Sequence, residues 1–284
     1  MTRDQAPRER LSLQLAEAVA EALRTDLAQR ERVLLVVSGG STPVPFLRAL
    51  SEMPLPWSRV EVTLADERWV AESDDDSNAR LVREHLLRSE AHRACFVPLT
   101  SDAATPEEGA AEVAERVGGL AWPASAVVLG MGGDGHTASL FPDSRELDLA
   151  LSTTEPVVAV RTPSQPQPRI SLSADRLHQA YRHFLHITGE AKRDVLGKAL
   201  AGDDTRRCRF VPSWPARWVS TGPLESTRHR PRITENYMTI DKQLPSTRTT
   251  ELDSICLKAE VIPVLAIRRV EDAVPLATAW SKGG

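Results

Sequence analysis

The sequence predicts an α/β fold, in which a Rossmann-like parallel sheet has helices on both faces. Short segments at 33–37 and 126–129 have the length and the continuous hydrophobicity of strands buried on both sides, and a further strand is predicted at 60–64. Helical patterns separate these segments, and strands that alternate with helices are typical of a parallel sheet. In such a sheet, ligands bind at the carboxyl ends of the strands.

The predicted elements follow one another in a regular order. Residues 11–27 carry apolar side chains at helical spacing, which indicates an amphipathic opening helix. Ser77 is a suitable N-cap for a helix that ends near Leu87, because its hydroxyl can accept a hydrogen bond from the first turn. The remaining strands are predicted at 157–160 and 182–188. One further helix is predicted to begin at residue 45, and two more are predicted at 106–117 and 191–201.

Composition argues against several classes of partner. The 284-residue chain is 41% hydrophobic with a net charge of −4, so it can bury a core but predicts no basic surface for nucleic acid or an anionic membrane. It has no apolar signal segment and no stretch long enough to span a bilayer. Three widely spaced cysteines indicate neither a disulfide framework nor a zinc site. We therefore expect a cytoplasmic monomer without cofactor or metal.

The strand at 126–129 is followed by a glycine-rich loop that contains an acid and a histidine. Four glycines lie between Gly130 and Gly135, so the backbone can turn tightly and approach a ligand. Asp134 and His136 lie in this loop, and histidine is the side chain best suited to transfer protons near neutral pH. We interpret His136 as a general base that Asp134 orients. A histidine that only caps the next helix is the structural alternative.

The loop after the first strand is a second candidate for ligand binding. It offers backbone N–H groups at the start of a helix, which together form an anion site. An ordinary strand-to-helix turn is the alternative. The residues concerned are Ser38, Gly39, Gly40, Ser41 and Thr42.

Four ordered segments resemble the 6-phosphogluconolactonase family, within the superfamily of sugar-phosphate isomerases and deaminases. They are residues 36–43, 64–70 with 77–78, 130–142, and 169–173 with 189–192. The resemblance implies hydrolysis of 6-phospho-D-glucono-1,5-lactone to 6-phospho-D-gluconate in the pentose phosphate pathway. His136 would then act as the base on water.

Two other functions of the same superfamily remain as alternatives. A sugar-phosphate isomerase or deaminase would share the core of the glycine-rich loop. Residues 137–142, however, resemble the lactonase ending of that loop. A non-catalytic sugar-phosphate sensor would be expected to carry a DNA-binding module, which the sequence does not predict.

The resemblance also implies which residues bind the substrate. Arg68, Arg169 and Lys192 are expected to bind its phosphate, with arginine as a bidentate fork and lysine as a point charge. Gly132 is expected to lie against the ligand. Asp66 is expected to pair with Arg68, because residues two apart on an extended segment share one side.

Several other titratable residues are expected to be structural. Glu67 points away from Asp66 on an extended segment, so we expect it outside the site. The acidic run 74–76 precedes a helix and is expected to be solvated rather than to bind a metal. His178, His183 and His186 are expected to serve the surface or the core.

The chain changes character after residue 207. Residues 208–237 contain clustered prolines and no regular period, where the lactonase family closes with an apolar strand and a Tyr-Trp-Ala-Pro-like ending. A freely chosen reverse translation of residues 207–225, shifted by two bases, encodes such an ending and a stop. We interpret residues 1–207 as the lactonase-like domain without its final strand, and 208–237 as a frame-shifted linker.

Residues 238–284 resemble the beginning of 2-keto-3-deoxy-6-phosphogluconate aldolase. They stop after one predicted strand and one helix, and lack the strands that carry that family's catalytic glutamate and Schiff-base lysine. One βα unit cannot close a barrel. We therefore expect a non-functional fragment that packs poorly on the preceding domain. The alternative is that residues 261–267 fill the missing sheet edge.

Overall fold

The structure is a computed structural model that describes residues 5–189, 191–192, 194–196 and 265–266, with side chains for residues 9–189, 191–192 and 194–196. The strands in these residues are β1 (Val33–Val37), β2 (Val60–Leu64), β3 (Asp66–Arg68), β4 (Cys95–Val97), β5 (Ala126–Leu129), β6 (Val157–Val160), β7 (Arg169–Leu172), β8 (His183–Leu185) and β9 (Leu265–Ala266). The helices are α1 (Gln5–Leu27), α2 (Val44–Ser51), α3 (Asn78–His85), α4 (Pro106–Gly118), α5 (Leu147–Ser152) and α6 (Ala174–His178).

The main sheet has six strands in the order β4-β2-β1-β5-β8-β9. The first five are mutually parallel, and β9 is antiparallel to β8. Every residue of β1, β2 and β5 is buried. Because neighbouring residues of a strand point to opposite faces, both faces of this part of the sheet are covered. The predicted α/β class and central parallel sheet are confirmed.

A second sheet was not predicted from the sequence. It is antiparallel, with three strands in the order β3-β7-β6. The strand predicted at 157–160 is present as β6, but it belongs to this antiparallel sheet. Ala65 connects the two sheets, because its N–H donates to Val37 of β1 while its carbonyl accepts from Leu172 of β7.

Most of the predicted helices are present, and their starts follow local capping chemistry. Ser77 accepts from the backbone N–H of Arg80 and caps α3 as predicted. Thr105 and Ser173 cap α4 and α6 in the same way. Residues 191, 192 and 194–196 are helical, and the remainder of the helix predicted at 191–201 lies outside the described residues. None of the described helices is long and apolar enough to cross a membrane.

The tail was expected to pack poorly on the preceding domain, but part of it lies at the edge of the main sheet. Leu265 and Ala266 pair with Leu185 and Phe184, so a short piece of the aldolase-like segment does lie beside β8. This is the arrangement that the sequence analysis treated as the alternative. The other residues of 208–284, and with them the frame-shift interpretation, lie outside the described residues.

Two buried histidines are expected to make the free energy of unfolding depend on pH. Burial lowers the pKa of His183 to about 4, and burial together with the charge of Lys192 lowers that of His186 to about 4. Between pH 6.5 and 4 the unfolded chain therefore binds more protons than the folded one, so acidification favours unfolding. We expect the free energy of unfolding to fall by up to about 1.4 kcal/mol per pH unit for each histidine.

Urea unfolding at intervals between pH 7 and pH 5 measures this slope. The substitution His183→Gln removes one titrating group, so the variant should show a shallower dependence on pH whatever its absolute stability. Equal slopes in the two proteins would show that His183 titrates normally in the folded state.

Candidate active site

A cleft of about 350 Å³ opens at the carboxyl ends of β1 and β5. Its walls come from the loop after β1, from β3, from the glycine-rich loop after β5 and from β7. All of the predicted substrate-binding residues line it, together with the predicted base: Ser38, Gly39, Gly40, Ser41, Thr42, Asp66, Arg68, Gly132, His136, Arg169 and Lys192. Parallel strand ends thus bring together segments that are distant in sequence.

The glycine-rich loop holds Asp134 and His136 in direct contact. Nδ1 of His136 lies 2.6 Å from Oδ1 of Asp134, and the backbone N–H of His136 donates to the same oxygen at 3.3 Å. Burial acts to raise the pKa of Asp134, but the hydrogen bonds and charge of His136 outweigh it and leave that pKa below its ordinary value. Asp134 is therefore a carboxylate at neutral pH, and Nε2 is the nitrogen of His136 left for chemistry.

Two glycines make this contact possible. Gly135 has a φ of 87°, in the left-handed region that favours glycine. A Cβ at position 132 would lie 2.3 Å from the ring of His136 and 2.6 Å from Oδ1 of Asp134. Gly132 lines the cleft, and its missing side chain makes room for the pair.

Neighbouring residues fix the direction of the His136 ring. Phe141 packs against it with a centroid separation of 4.2 Å. Across the base of the loop, the Thr137 hydroxyl donates to the carbonyl of Gly130 at 2.7 Å. The N–H of Gly132 donates to the carbonyl of His136 at 2.8 Å. The imidazole is thus held by its ring, its Nδ1 and its own backbone.

The loop after β1 forms the opposite wall and leads into α2. Gly40 adopts a φ of 89°, which lets the chain turn between β1 and the helix. A Cβ at Gly39 would lie 1.7 Å from Oδ1 of Asn78, so glycine is required for this close approach. Asn78 also donates to the carbonyl of Asp66 at 2.9 Å. The loop is therefore packed directly on the start of α3.

Arg169 is the most buried cation of the cleft. It lies 3.6 Å from Asp66, donates to Gln165 at 3.0 Å, and stacks 5.3 Å from the centroid of Phe141. Burial lowers its pKa, an effect that the charge of Asp66 partly opposes. Its Nε has no hydrogen-bond partner within the described part of the chain. An anion in the cleft would supply one.

The predicted pairing of Asp66 with Arg68 is wrong. Oδ2 of Asp66 accepts from the hydroxyl of Ser139 at 2.5 Å and faces Arg169. Arg68 instead donates to the backbone carbonyl of Asp76. The cause is the second sheet, in which β7 lies antiparallel to β3 with Arg169 opposite Arg68, so that Arg169 reaches the neighbouring Asp66 diagonally.

Glu67 is structural, as predicted. Its carboxylate accepts from the backbone N–H groups of Asn78 at 2.8 Å and Ala79 at 2.7 Å, and from the Ser77 hydroxyl at 3.3 Å. Burial raises the pKa of this carboxyl, although these hydrogen bonds oppose the shift. Glu67 therefore anchors the first turn of α3 beneath the cleft.

The remaining titratable candidates separate into solvated and buried groups. In the acidic run, Asp75 pairs with Arg80 and Asp76 accepts from Gln167. No cluster of three or more metal-ligating side chains occurs among the residues that the structure describes. His183 is buried and bonded to the carbonyl of Leu177, outside the cleft.

Some residues of the cleft were not assigned to the site from the sequence. Phe141 lines the cleft, whereas Ser139 is buried and lies outside its lining. Both belong to the recognised glycine-rich segment, but only the fold shows that Phe141 touches His136 and that Ser139 bonds to Asp66. Gln165 comes from an irregular loop without any sequence signal. His186 was expected to serve the surface or the core, yet it lines the cleft.

The chain is similar in sequence to a known protein family and to individual members of it. Residues 6–227 match the family described as glucosamine-6-phosphate isomerases/6-phosphogluconolactonase. A 6-phosphogluconolactonase of Pseudomonas aeruginosa is 51% identical over 195 residues, which are 68% of this chain and 82% of that protein. One of Rhizobium meliloti is 44% identical over 192 residues, covering 67% of this chain and 83% of the relative.

Solved structures give a consistent result. A 6-phosphogluconolactonase from Shewanella baltica has a TM-score of 0.70 and 43% identity, over 72% of this chain and 88% of that one. A monomeric glucosamine-6-phosphate deaminase has a TM-score of 0.59 over 72% of this chain and 89% of its own. At 18% identity, the deaminase shows a shared fold alone.

Proposed function

The chain belongs to the glucosamine-6-phosphate isomerase/6-phosphogluconolactonase family, and we propose that it hydrolyses 6-phosphogluconolactone to 6-phosphogluconate. Relatives at 51% and 44% identity carry the lactonase name. The observation that carries the proposal is the hydrogen bond between Asp134 and Nδ1 of His136, in a cleft shared with the turn after β1 and several cations. A base and an anion site in one cleft suit a phosphorylated ester.

In the proposed reaction, His136 acts on water. Its Nε2 accepts a proton as the water oxygen attacks the lactone carbonyl carbon, and the carbonyl becomes an oxyanion. The tetrahedral intermediate then collapses, the bond between this carbon and the ring oxygen breaks, and the imidazolium returns the proton to the departing oxygen. The carboxylate of Asp134 fixes the tautomer and stabilises the imidazolium. The product is an open-chain acid with one carboxyl and one new hydroxyl.

The phosphate is proposed to bind away from His136. The backbone N–H groups of the turn at 38–42, which precedes α2, and the ammonium of Lys192 provide positive potential on one wall. Arg169 and Arg68 line the cleft on the side of β3 and β7, and each has a buried Nε without a partner in the described residues. Binding phosphate would satisfy such donors and would align the lactone carbonyl with His136.

We further propose that residues 208–284 add no second activity. The aldolase-like segment has the length of a single βα unit, and the family match ends at residue 227. We expect the enzyme to act as a cytoplasmic monomer on a small sugar-phosphate lactone, without a cofactor.

Replacement of the base provides the first test of this function. The substitution His136→Ala should lower kcat for 6-phosphogluconolactone at least about a hundredfold, the usual scale for a positioned general base. The rate should be measured with a chelator present, because the proposed reaction uses only protein groups. His92→Ala removes an exposed histidine outside the cleft and should retain the parent rate.

Two results would contradict the proposed mechanism. Near-normal turnover by His136→Ala would place the base elsewhere. Loss of parent activity with chelator, and its return with a divalent cation, would require a metal. Release of ammonia from glucosamine 6-phosphate at a higher kcat/KM than lactone hydrolysis would instead favour the deaminase alternative.

Removal of a proposed phosphate ligand should separate binding from turnover. The substitution Arg169→Ala should raise KM for the phosphorylated lactone about tenfold or more and change kcat little, because a binding contact present throughout the reaction is lost. KM for unphosphorylated gluconolactone should change little. Arg161→Ala, which removes an exposed arginine paired with Glu107, is the matched control. Equal rises in KM for both lactones would show that Arg169 does not bind the phosphate.

A further inference from the structure

His186 lines the cleft and immediately follows β8. Its backbone N–H donates to the carbonyl of Leu129 at 2.7 Å, which ties it to the end of β5. The edge of its ring packs on Phe46, with centroids 6.2 Å apart and an interplanar angle of 75°. Only 4% of the residue is exposed, yet it is part of the cleft lining. The mechanism above gives it no role.

The hydrogen bonding of this imidazole is incomplete. Its Nδ1 is buried and has no partner among the residues that the structure describes. Buried polar groups in native proteins are normally satisfied, and exceptions often mark a site that a ligand or water completes. His183 at the start of β8 provides a comparison, because it is also buried but has its Nε2 bonded to the carbonyl of Leu177.

The surroundings of His186 indicate which part of a substrate would accept a hydrogen bond from its imidazole. Phe46 belongs to α2, the helix whose N-terminus follows the turn of residues 38–42. Burial lowers the pKa of His186 to about 4, and the charge of the nearby Lys192 contributes to the shift. The ring is therefore neutral at physiological pH and carries one N–H, which can donate to an anion beside the ammonium.

We propose that His186 donates a hydrogen bond to the phosphate of the substrate and so contributes to the preference for phosphorylated over unphosphorylated lactone. This role rests on the proposed function, because that function identifies the ligand as a phosphorylated lactone. The imidazole packs against Phe46 of α2 and lies near Lys192, where a donor without charge adds specificity and does not repel the neighbouring cation. His186 is thus a binding residue for the phosphate and takes no part in proton transfer.

Binding of 6-phosphogluconate and of gluconate, measured by calorimetry alongside lactone hydrolysis, tests this role. His186→Leu removes the donor and should raise both Kd for 6-phosphogluconate and KM for its lactone about tenfold, as expected for a hydrogen bond to a charged partner. His186→Gln restores an N–H and should recover most of that loss. His183→Gln, at the start of β8 and outside the cleft, should bind like the parent. Values of kcat and the binding of gluconate should stay within about twofold in all variants.

A second measurement uses the unaltered protein and does not depend on the folding of a variant. With ¹⁵N-labelled histidine, 6-phosphogluconate should shift a ring nitrogen of His186, gluconate should not, and His183 should be unaffected. An unchanged His186 resonance, or equal losses for phosphorylated and unphosphorylated ligands in His186→Leu, would overturn the proposal. A parent protein that binds 6-phosphogluconate without hydrolysing the lactone would refute the proposed function, while the binding comparison would still decide the role of His186.

Discussion

The site depends on one hydrogen bond, between Oδ1 of Asp134 and Nδ1 of His136 at 2.6 Å. It selects which nitrogen of the imidazole is available and places a negative charge where an imidazolium would form. Two backbone conditions permit it: the missing side chain at Gly132 and the left-handed conformation of Gly135. Phe141 then supports the ring from one side. A sequence without these glycines could contain the same acid and histidine but could not bring them together in this way.

The two sheets determine what lies opposite this pair. At Ala65 the chain leaves the main sheet and enters the small antiparallel one, so Asp66 and Arg169 meet across β3 and β7. The hydroxyl of Ser139 then joins the glycine-rich loop to Asp66. This polar connection is buried, and its groups are positioned by partners rather than by solvent. A charged cleft can therefore keep a fixed shape, which electrostatic stabilisation of a reaction requires.

The centre of the main sheet could be predicted because β1 and β5 are short, wholly apolar runs, but β4, with only three residues, was missed. The glycine-rich loop could be predicted because an acid and a histidine among four glycines are typical of a catalytic loop. The second sheet could not, since β3 and β7 are short, carry charged residues and pair only through tertiary contact. The error over Asp66 follows from that omission: local geometry allowed a bond to Arg68, but an antiparallel neighbour supplied a different arginine. His186 lacked any local signal, because its position in the cleft depends on α2 and β5.

In the proposed complex the ligand binds the cleft in one orientation, with the reacting carbon beside His136 and the phosphate near the turn before α2, Lys192 and Arg169. A crystal structure of the protein with 6-phosphogluconate tests this most directly. A carboxylate oxygen is expected within hydrogen-bond distance of Nε2 of His136, and phosphate oxygens are expected on the turn of residues 38–42, on Lys192 and on Arg169. A phosphate bound at His136, or a sugar acid bound outside the cleft, would contradict it.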